Sequence, residues 1–151
     1  MENLEKAPVV ISSAHAMFGT DKNMEKNGII LDYDDFWLRI ARAGGANTRY
    51  NDVLKHKFKP HRRAIQTETL SDAKADALVL ETFAETVILG GGCKAYGEGF
   101  LVAADGSKLQ ITRENLITYF GELPDLFADV KEQAGKISLF RKEVLETDAK
   151  N

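Results

Sequence analysis

The stretch from Leu123 to Asn151 constrains the fold more than any other part of the chain. Leu123-Pro124-Asp125 opens it, and no further proline follows before the chain ends. Proline and aspartate suit the first turn of a helix, where the missing N–H costs nothing and the carboxylate faces the positive end of the helix dipole. Apolar residues then recur three or four apart at Leu123, Phe127, Val130, Ala134, Ile137, Phe140 and Val144, with Asp129, Lys131, Glu132, Lys136 and Lys142 between them. The spacing predicts one long amphipathic helix with an apolar stripe. Gly135 weakens that helix by about 1 kcal/mol relative to alanine and marks a soft spot. Two halves follow: Leu123 to Val130 is expected to pack on the core, and Ile137 to Leu145 to meet another chain.

The rest of the chain supplies that core. At 151 residues, 44% hydrophobic and 28% charged, it has the composition of one globular domain rather than a disordered segment. The net charge of −3 is unevenly spread: Lys plus Arg minus Asp plus Glu gives −2 for residues 1–45, +4 for 46–75 and −5 for 76–151. A single cysteine, Cys93, excludes an internal disulfide and fits a reducing compartment. No stretch approaches the length of a membrane span. Glu2 and Glu5 stand where a signal peptide needs positive charge, so a cytoplasmic protein is expected.

Taken in order, Val9-Val10-Ile11 reads as a short strand and residues 23–27 as a helical turn ended by Gly28. Ile29 to Tyr33 and Phe36 to Arg42 read as two strands about Asp34-Asp35, with Phe36, Leu38 and Ile40 on one face. Asn47 is the expected N-cap of a helix bearing Tyr50, Val53, Leu54 and Phe58 on one side. Pro60 must kink or divide that helix. Ser71 caps a broad-faced central helix with Ala73, Ala77, Leu80, Phe83, Ala84, Val87 and Ile88 inward, stopped by Gly90-Gly91-Gly92. Cys93 to Gly99 is expected to be a mobile loop. Ala104-Asp105-Gly106-Ser107 joins a hairpin, and Thr112 caps a short helix ended by Gly121. The fold class is α+β, mainly α-helical: small β-hairpins plus about four helices, the last long and amphipathic.

No motif points to catalysis. The triple glycine is followed by no Gly-Lys-Ser/Thr, and Gly97-Glu98-Gly99 lacks the third glycine of a dinucleotide fingerprint. His56 and His61 stand five apart across a proline, which misses the spacing that puts two imidazoles on one metal. Cys93 has no triad-like context, and the carboxylates form no acid–base pair. No enzyme, cofactor or metal site is expected. The one charge feature is Lys55–Arg63, in which seven of nine residues are Lys, Arg or His. Such a segment grips phosphates or an acidic protein surface; in a net-acidic protein a solvated helix face carries more weight, and Phe58 is expected to point into the core.

From Phe18 to Asn151 the order of motifs resembles the tail assembly chaperone family of long-tailed, siphovirus-type bacteriophages. The blocks are Phe18-Gly19-Thr20-Asp21-Lys22, Gly28-Ile29-Ile30-Leu31-Asp32-Tyr33, Ala41-Arg42-Ala43-Gly44-Gly45-Ala46-Asn47, Arg62-Arg63-Ala64-Ile65-Gln66-Thr67, Phe83-Ala84-Glu85-Thr86-Val87-Ile88-Leu89-Gly90, Thr112-Arg113-Glu114-Asn115 and, most distinctively, Leu123-Pro124-Asp125-Leu126-Phe127 with the Asp148-Ala149-Lys150-Asn151 ending. Members of that family carry a Trp after the Ile-Leu-Gly of the central helix, where this chain has Gly91-Gly92; Trp37 is the candidate to replace its contact. Residues 1–17 precede the usual start and read as an extension to a single domain over 18–151.

The resemblance implies a non-enzymatic protein in the cytoplasm of the infected bacterial host. It would coat the tape measure protein, help recruit tail tube protein and be absent from the finished virion. In many such phages a longer product arises by ribosomal frameshifting, and Lys150-Asn151 is compatible with a slippery codon pair. The partner-binding candidates are Phe127, Val130, Ile137, Phe140, Val144 and Leu145 on the stripe, and Lys57, Lys59, Arg62 and Arg63 in the basic segment; self-association is a further use of the stripe. On this reading Phe140→Asp, or a cut after Lys136, removes client binding and spares the fold. The alternatives are a structural tail or neck component retained in the virion, and a small nucleic-acid-binding phage protein, the latter disfavoured by net acidity.

Overall fold

The computed structural model describes residues 13–141. The strand expected at Val9–Ile11 and the stripe residues Val144 and Leu145 lie outside them. Two short helices come first, α1 (Ala14–Phe18) and α2 (Lys22–Asn27), followed by the hairpin β1 (Ile29–Asp32) and β2 (Phe36–Ile40). Helix α3 (Thr48–Phe58), a 3-10 turn (Lys59–His61) and α4 (Arg62–Gln66) lead to the central helix α5 (Asp72–Thr86). Strands β3 (Ile88–Cys93), β4 (Gly97–Glu98), β5 (Phe100–Val102) and β6 (Lys108–Gln110) precede α6 (Arg113–Glu122), α7 (Pro124–Ala134) and a closing 3-10 turn (Ile137–Phe140). The architecture is α+β and mainly helical. Strands β1 to β4 form one antiparallel sheet in sequence order, and β5 pairs with β6.

Local chemistry sets most of the boundaries. The Asp21 carboxylate caps α2 by accepting from the Asn23 and Met24 N–H groups, the Ser71 hydroxyl accepts from Lys74 N–H, and the Thr112 hydroxyl from Asn115 N–H. Gly28 leaves α2 with φ +95°, a conformation closed to most side chains. At the β5–β6 turn the Asp105 carboxylate accepts from the Ser107 N–H and hydroxyl, and Gly106 takes φ +89°. Asn47 departs from expectation. Its side chain caps nothing; it donates from Nδ2 to the Arg42 carbonyl at 2.8 Å and the Thr86 carbonyl at 3.1 Å. With Ala41 N–H on the Val87 carbonyl and Arg49 on the Glu85 carbonyl, it satisfies the open end of α5.

The triple glycine is strand, not a helix stop followed by a loop. Residues 88–93 pair with β2, Gly91 opposite Leu38 and Gly92 opposite Trp37, and Cys93 is buried where β4 returns. Glycine is needed here because of what lies on either side. A Cβ at Gly91 would stand 2.5 Å from the Trp37 carbonyl oxygen, and one at Gly92 would enter the Trp37 ring; at Gly90 nothing lies within 4 Å. Trp37 therefore does lie against Gly92. Gly91→Ala is expected to cost about 2–3 kcal/mol by overpacking against backbone, Gly90→Ala close to nothing, and Gly92→Ala to displace the indole. Thermal melts with Trp37 fluorescence would order the three, and equal melting temperatures for Gly90→Ala and Gly91→Ala would refute the account.

The core lies between the inner sheet face and helices α5, α6 and α7. Leu38 and Ile40 share one buried cluster with Phe83, Ala84, Val87, Leu116, Phe120, Phe127, Val130 and Ala134. Phe83 and Phe127 pack edge to face with ring centres 5.3 Å apart. On α5, Leu78, Thr82, Phe83, Ala84 and Thr86 are buried, whereas Ala73 and Ala77 are exposed, so only the C-terminal part of the helix is central. Thr82 and Thr86 are hidden at no polar cost, because each hydroxyl donates at 2.8 Å to the carbonyl four residues back. Helix α6 runs through Gly121 to Glu122 rather than ending at the glycine.

The C-terminal stripe is corrected most. Helix α7 stops at Gly135, Lys136 is extended, and residues 137–140 form a separate 3-10 turn. That turn packs on α2: Asp21 N–H donates to the Phe140 carbonyl at 2.7 Å, Thr20 and Arg141 form an antiparallel bridge, and Phe140 is fully buried. Phe127 and Val130 are buried as well, while Leu123, expected inside, is 41% exposed. A stripe that turns inward at Gly135 cannot present Phe127, Val130 and Phe140 as one outward ridge.

Candidate functional site

The basic segment folds into an elbow. Helix α3 ends at Phe58, Pro60 occupies the 3-10 turn, where its missing N–H is harmless, and α4 restarts at Arg62. The turn after α4 is held by Thr67, whose hydroxyl donates to the Arg63 carbonyl at 3.0 Å, and by Glu68 in the left-handed region at φ +57°. Asp52, Lys55, His56 and Lys59 fall at i, i+3, i+4 and i+7 along one arm; Arg62, Ile65 and Gln66 fall at i, i+3 and i+4 along the other. Together with Phe58 these two faces line an open groove of about 600 Å³. Ile65 is 45% exposed within it and Phe58 half-buried.

The other side of α3 grips the protein itself. Lys57 Nζ lies 2.8 Å from a Glu85 carboxylate oxygen and 3.2 Å from Glu81, and Arg113 reaches the same Glu85 oxygen at 2.9 Å. The Glu85 hydrogen bond, outweighing partial burial, raises the Lys57 pKa. Burial alone would raise that of Glu85, but Lys57 and Arg113 hold it below the usual range. This network and the edge-on contact of Tyr50 with Phe83, 5.6 Å between ring centres, fasten α3 to α5.

The expected site residues therefore separate. Lys59 and Arg62 line the groove, and Arg63 sits beside it next to Lys59, Pro60 and Gln66. Lys57 points inward to its carboxylates. Phe127, Val130 and Phe140 are core, and Ile137 is half-buried. Phe58, expected in the core, is part of the groove with Lys55 and His56 of the same basic segment, and Ile65, which lies outside that segment, joins it. The signal was present in the helical spacing of 52, 55, 56 and 59 before a proline. Among the described residues, Lys55, Lys59, Arg62 and Arg63 have no carboxylate within ion-pair distance.

Two further polar centres serve the fold. Glu25 is buried and accepts from the Arg42 guanidinium and from Ala46 N–H. Burial pushes its carboxyl up, but these donors, with the Thr20 side chain, outweigh burial and hold it below the usual 4.5. The Tyr33 hydroxyl donates at 2.6 Å to Asp129, tying the first hairpin to α7; burial first, and that carboxylate second, push its pKa up. The Cys93 sulfur accepts from Tyr96 N–H at 3.3 Å. Among the described residues no His, Cys, Asp or Glu group of three or more is placed to hold a metal, and no helix is long and apolar enough to cross a membrane.

Comparison with known families adds one finding. The profile of the YdaY prophage protein family matches residues 45–151, more than two thirds of the chain. The chain belongs to that family. It is a phage-related protein, as the seven sequence blocks imply; the family description says nothing of tails. The matched region begins at the loop before α3 and contains the elbow, the central helix and α7, while β1 and β2, which complete the sheet with β3, precede it. No curated protein and no solved structure is detectably similar to the chain.

Proposed function

We propose that this phage protein is a non-enzymatic tail assembly chaperone. It binds the tape measure protein in the cytoplasm of the infected host, helps recruit tail tube subunits, and leaves before the virion is complete. The elbow carries this reading: an open groove lined by two apolar side chains and by cations that have no carboxylate partner among the described residues. Exposed apolar surface rimmed by charge is the signature of a protein-docking site. The elbow also lies within the residues that the prophage family shares. Of the two client surfaces expected, the C-terminal stripe has Phe127, Val130 and Phe140 buried, which favours the basic segment of α3 and α4.

The test is co-expression with the tape measure protein of the same phage and affinity capture. Ile65→Asp combined with Arg62→Glu is expected to reduce recovered client about tenfold or more by removing apolar and charged contacts together. Its melting temperature is expected to stay within about 2 °C, since both side chains are at the surface. Mass spectrometry of purified particles is expected to find the protein absent. Its presence at fixed stoichiometry would instead identify a structural tail or neck component.

A further inference from the structure

We infer that the elbow groove takes an acidic amphipathic α-helix, with apolar side chains one turn apart seated over Phe58 and Ile65 and carboxylates directed at Lys55, Lys59 and Arg62. The inference rests on reading the elbow as a protein-docking surface and specifies the chemistry of its occupant. Both walls are helix faces, one along α3 and one along α4, and the space between them measures about 600 Å³. Helix interiors have their N–H and C=O groups already paired, so the walls offer no strand edge for an extended peptide; a helix laid side chain to side chain is the mode that fits. The lining combines Ile65, 45% exposed, and half-buried Phe58 with Lys55, Lys59 and Arg62.

Charge selects the partner. Among the described residues, Asp52 is the one acidic side chain lining the groove, against Lys55, Lys59 and Arg62, none of which has an internal carboxylate partner there. Lys57, one position out of phase, does have two such partners. Among the described residues, carboxylates thus neutralise the cation facing the core and none pairs with those facing the groove. A polyanionic nucleic acid is the poorer fit, because the groove is lined by one aromatic ring and one aliphatic side chain rather than by a row of stacking rings.

The experiment uses the full chain and labelled peptides of about 18 residues, long enough to hold a helix. One carries Leu at i, i+3, i+4 and i+7 with Glu elsewhere, and a second has Lys in place of every Glu. Anisotropy titrations are expected to show the Glu peptide binding at least about tenfold more tightly than the Lys peptide, with affinity falling as salt is added. Ile65→Asp and Arg62→Glu are each expected to weaken it by about tenfold at an unchanged melting temperature. Equal binding of the two peptides overturns the inference. So does displacement of the Glu peptide by a single-stranded oligonucleotide of higher affinity, or a wild-type dimer that Ile65→Asp converts to monomer, since these outcomes make the groove a phosphate site or a self-association face. If the Glu peptide binds but tape measure protein is not captured, the groove stands and the tail reading fails; capture that is indifferent to Ile65→Asp has the opposite meaning.

Discussion

Phe140→Ala is expected to destabilise the protein by about 3–5 kcal/mol, a large fraction of the roughly 5–15 kcal/mol that holds a domain together. The ring is fully buried, and it comes from a turn whose backbone is tied to α2 through the Asp21 N–H bond and the Thr20–Arg141 bridge. Removing the ring leaves a cavity where the closing turn packs on α2. Phe140→Asp is expected to yield no folded protein, because a carboxylate in that space has no partner. A cut after Lys136 removes the same anchor and acts on stability before it acts on binding. Urea unfolding followed by the fluorescence of Trp37, the single tryptophan, measures the effect. A loss below about 1 kcal/mol for Phe140→Ala would show the closing turn to be peripheral.

The second large effect is electrostatic. Arg42→Met is expected to cost about 3 kcal/mol at neutral pH, because it strands the buried Glu25 carboxylate with only its neutral donors. Glu25→Gln is expected to cost about half as much, since the Arg42 side chain is 22% exposed and can turn to water, whereas that of Glu25 is 3% exposed. The pH dependence separates this account from a packing defect. The folded pKa of Glu25 lies below the ordinary 4.5, so the unfolded chain takes up the proton first as pH falls. The stabilisation is complete above that value and is lost as pH drops through the folded pKa. The unfolded chain is common to both proteins, so the gap between wild type and Arg42→Met is expected to be widest at neutral pH. It narrows as pH falls from the folded pKa of Glu25 in Arg42→Met, which burial without the guanidinium raises, to its lower folded pKa in the wild type. A gap of constant size across that window would assign the cost to lost packing around the Arg42 stem.

Much of the element order was legible in the chain because it rests on local chemistry. Ser71 and Thr112 cap the helices expected of them, Asp105-Gly106 turns a hairpin, Pro60 breaks α3, and Phe36, Leu38 and Ile40 alternate as a strand does. The errors share a cause. Gly90-Gly91-Gly92 reads as a break by composition, yet it is strand, and at Gly91 and Gly92 the missing Cβ lets β3 approach the Trp37 backbone and ring. Asn47 has the side chain of a cap, but the unsatisfied carbonyls of α5 compete for its amide. Glu25 carried no sequence signal, since one glutamate among many reveals nothing of the Arg42 and Ala46 donors brought to it by the fold.

The candidate site shows the same division. The cluster of cations from Lys55 to Arg63 and the break at Pro60 are properties of the sequence, as is the spacing that puts 55 and 59 on one side of α3. The sequence by itself also determined the apolar period of the C-terminal stretch, because a three-to-four repeat must bury one face of a helix somewhere. Only the tertiary structure decided where. The backbone leaves the helix at Gly135, and Phe140 turns back onto α2, converting a predicted outer ridge into core. It likewise decided that Glu81 and Glu85 neutralise Lys57 while, among the described residues, no carboxylate pairs with Lys55, Lys59 or Arg62. A periodic pattern records which residues share a face, and the identity of the surface that face meets is set by contacts between elements far apart in the chain.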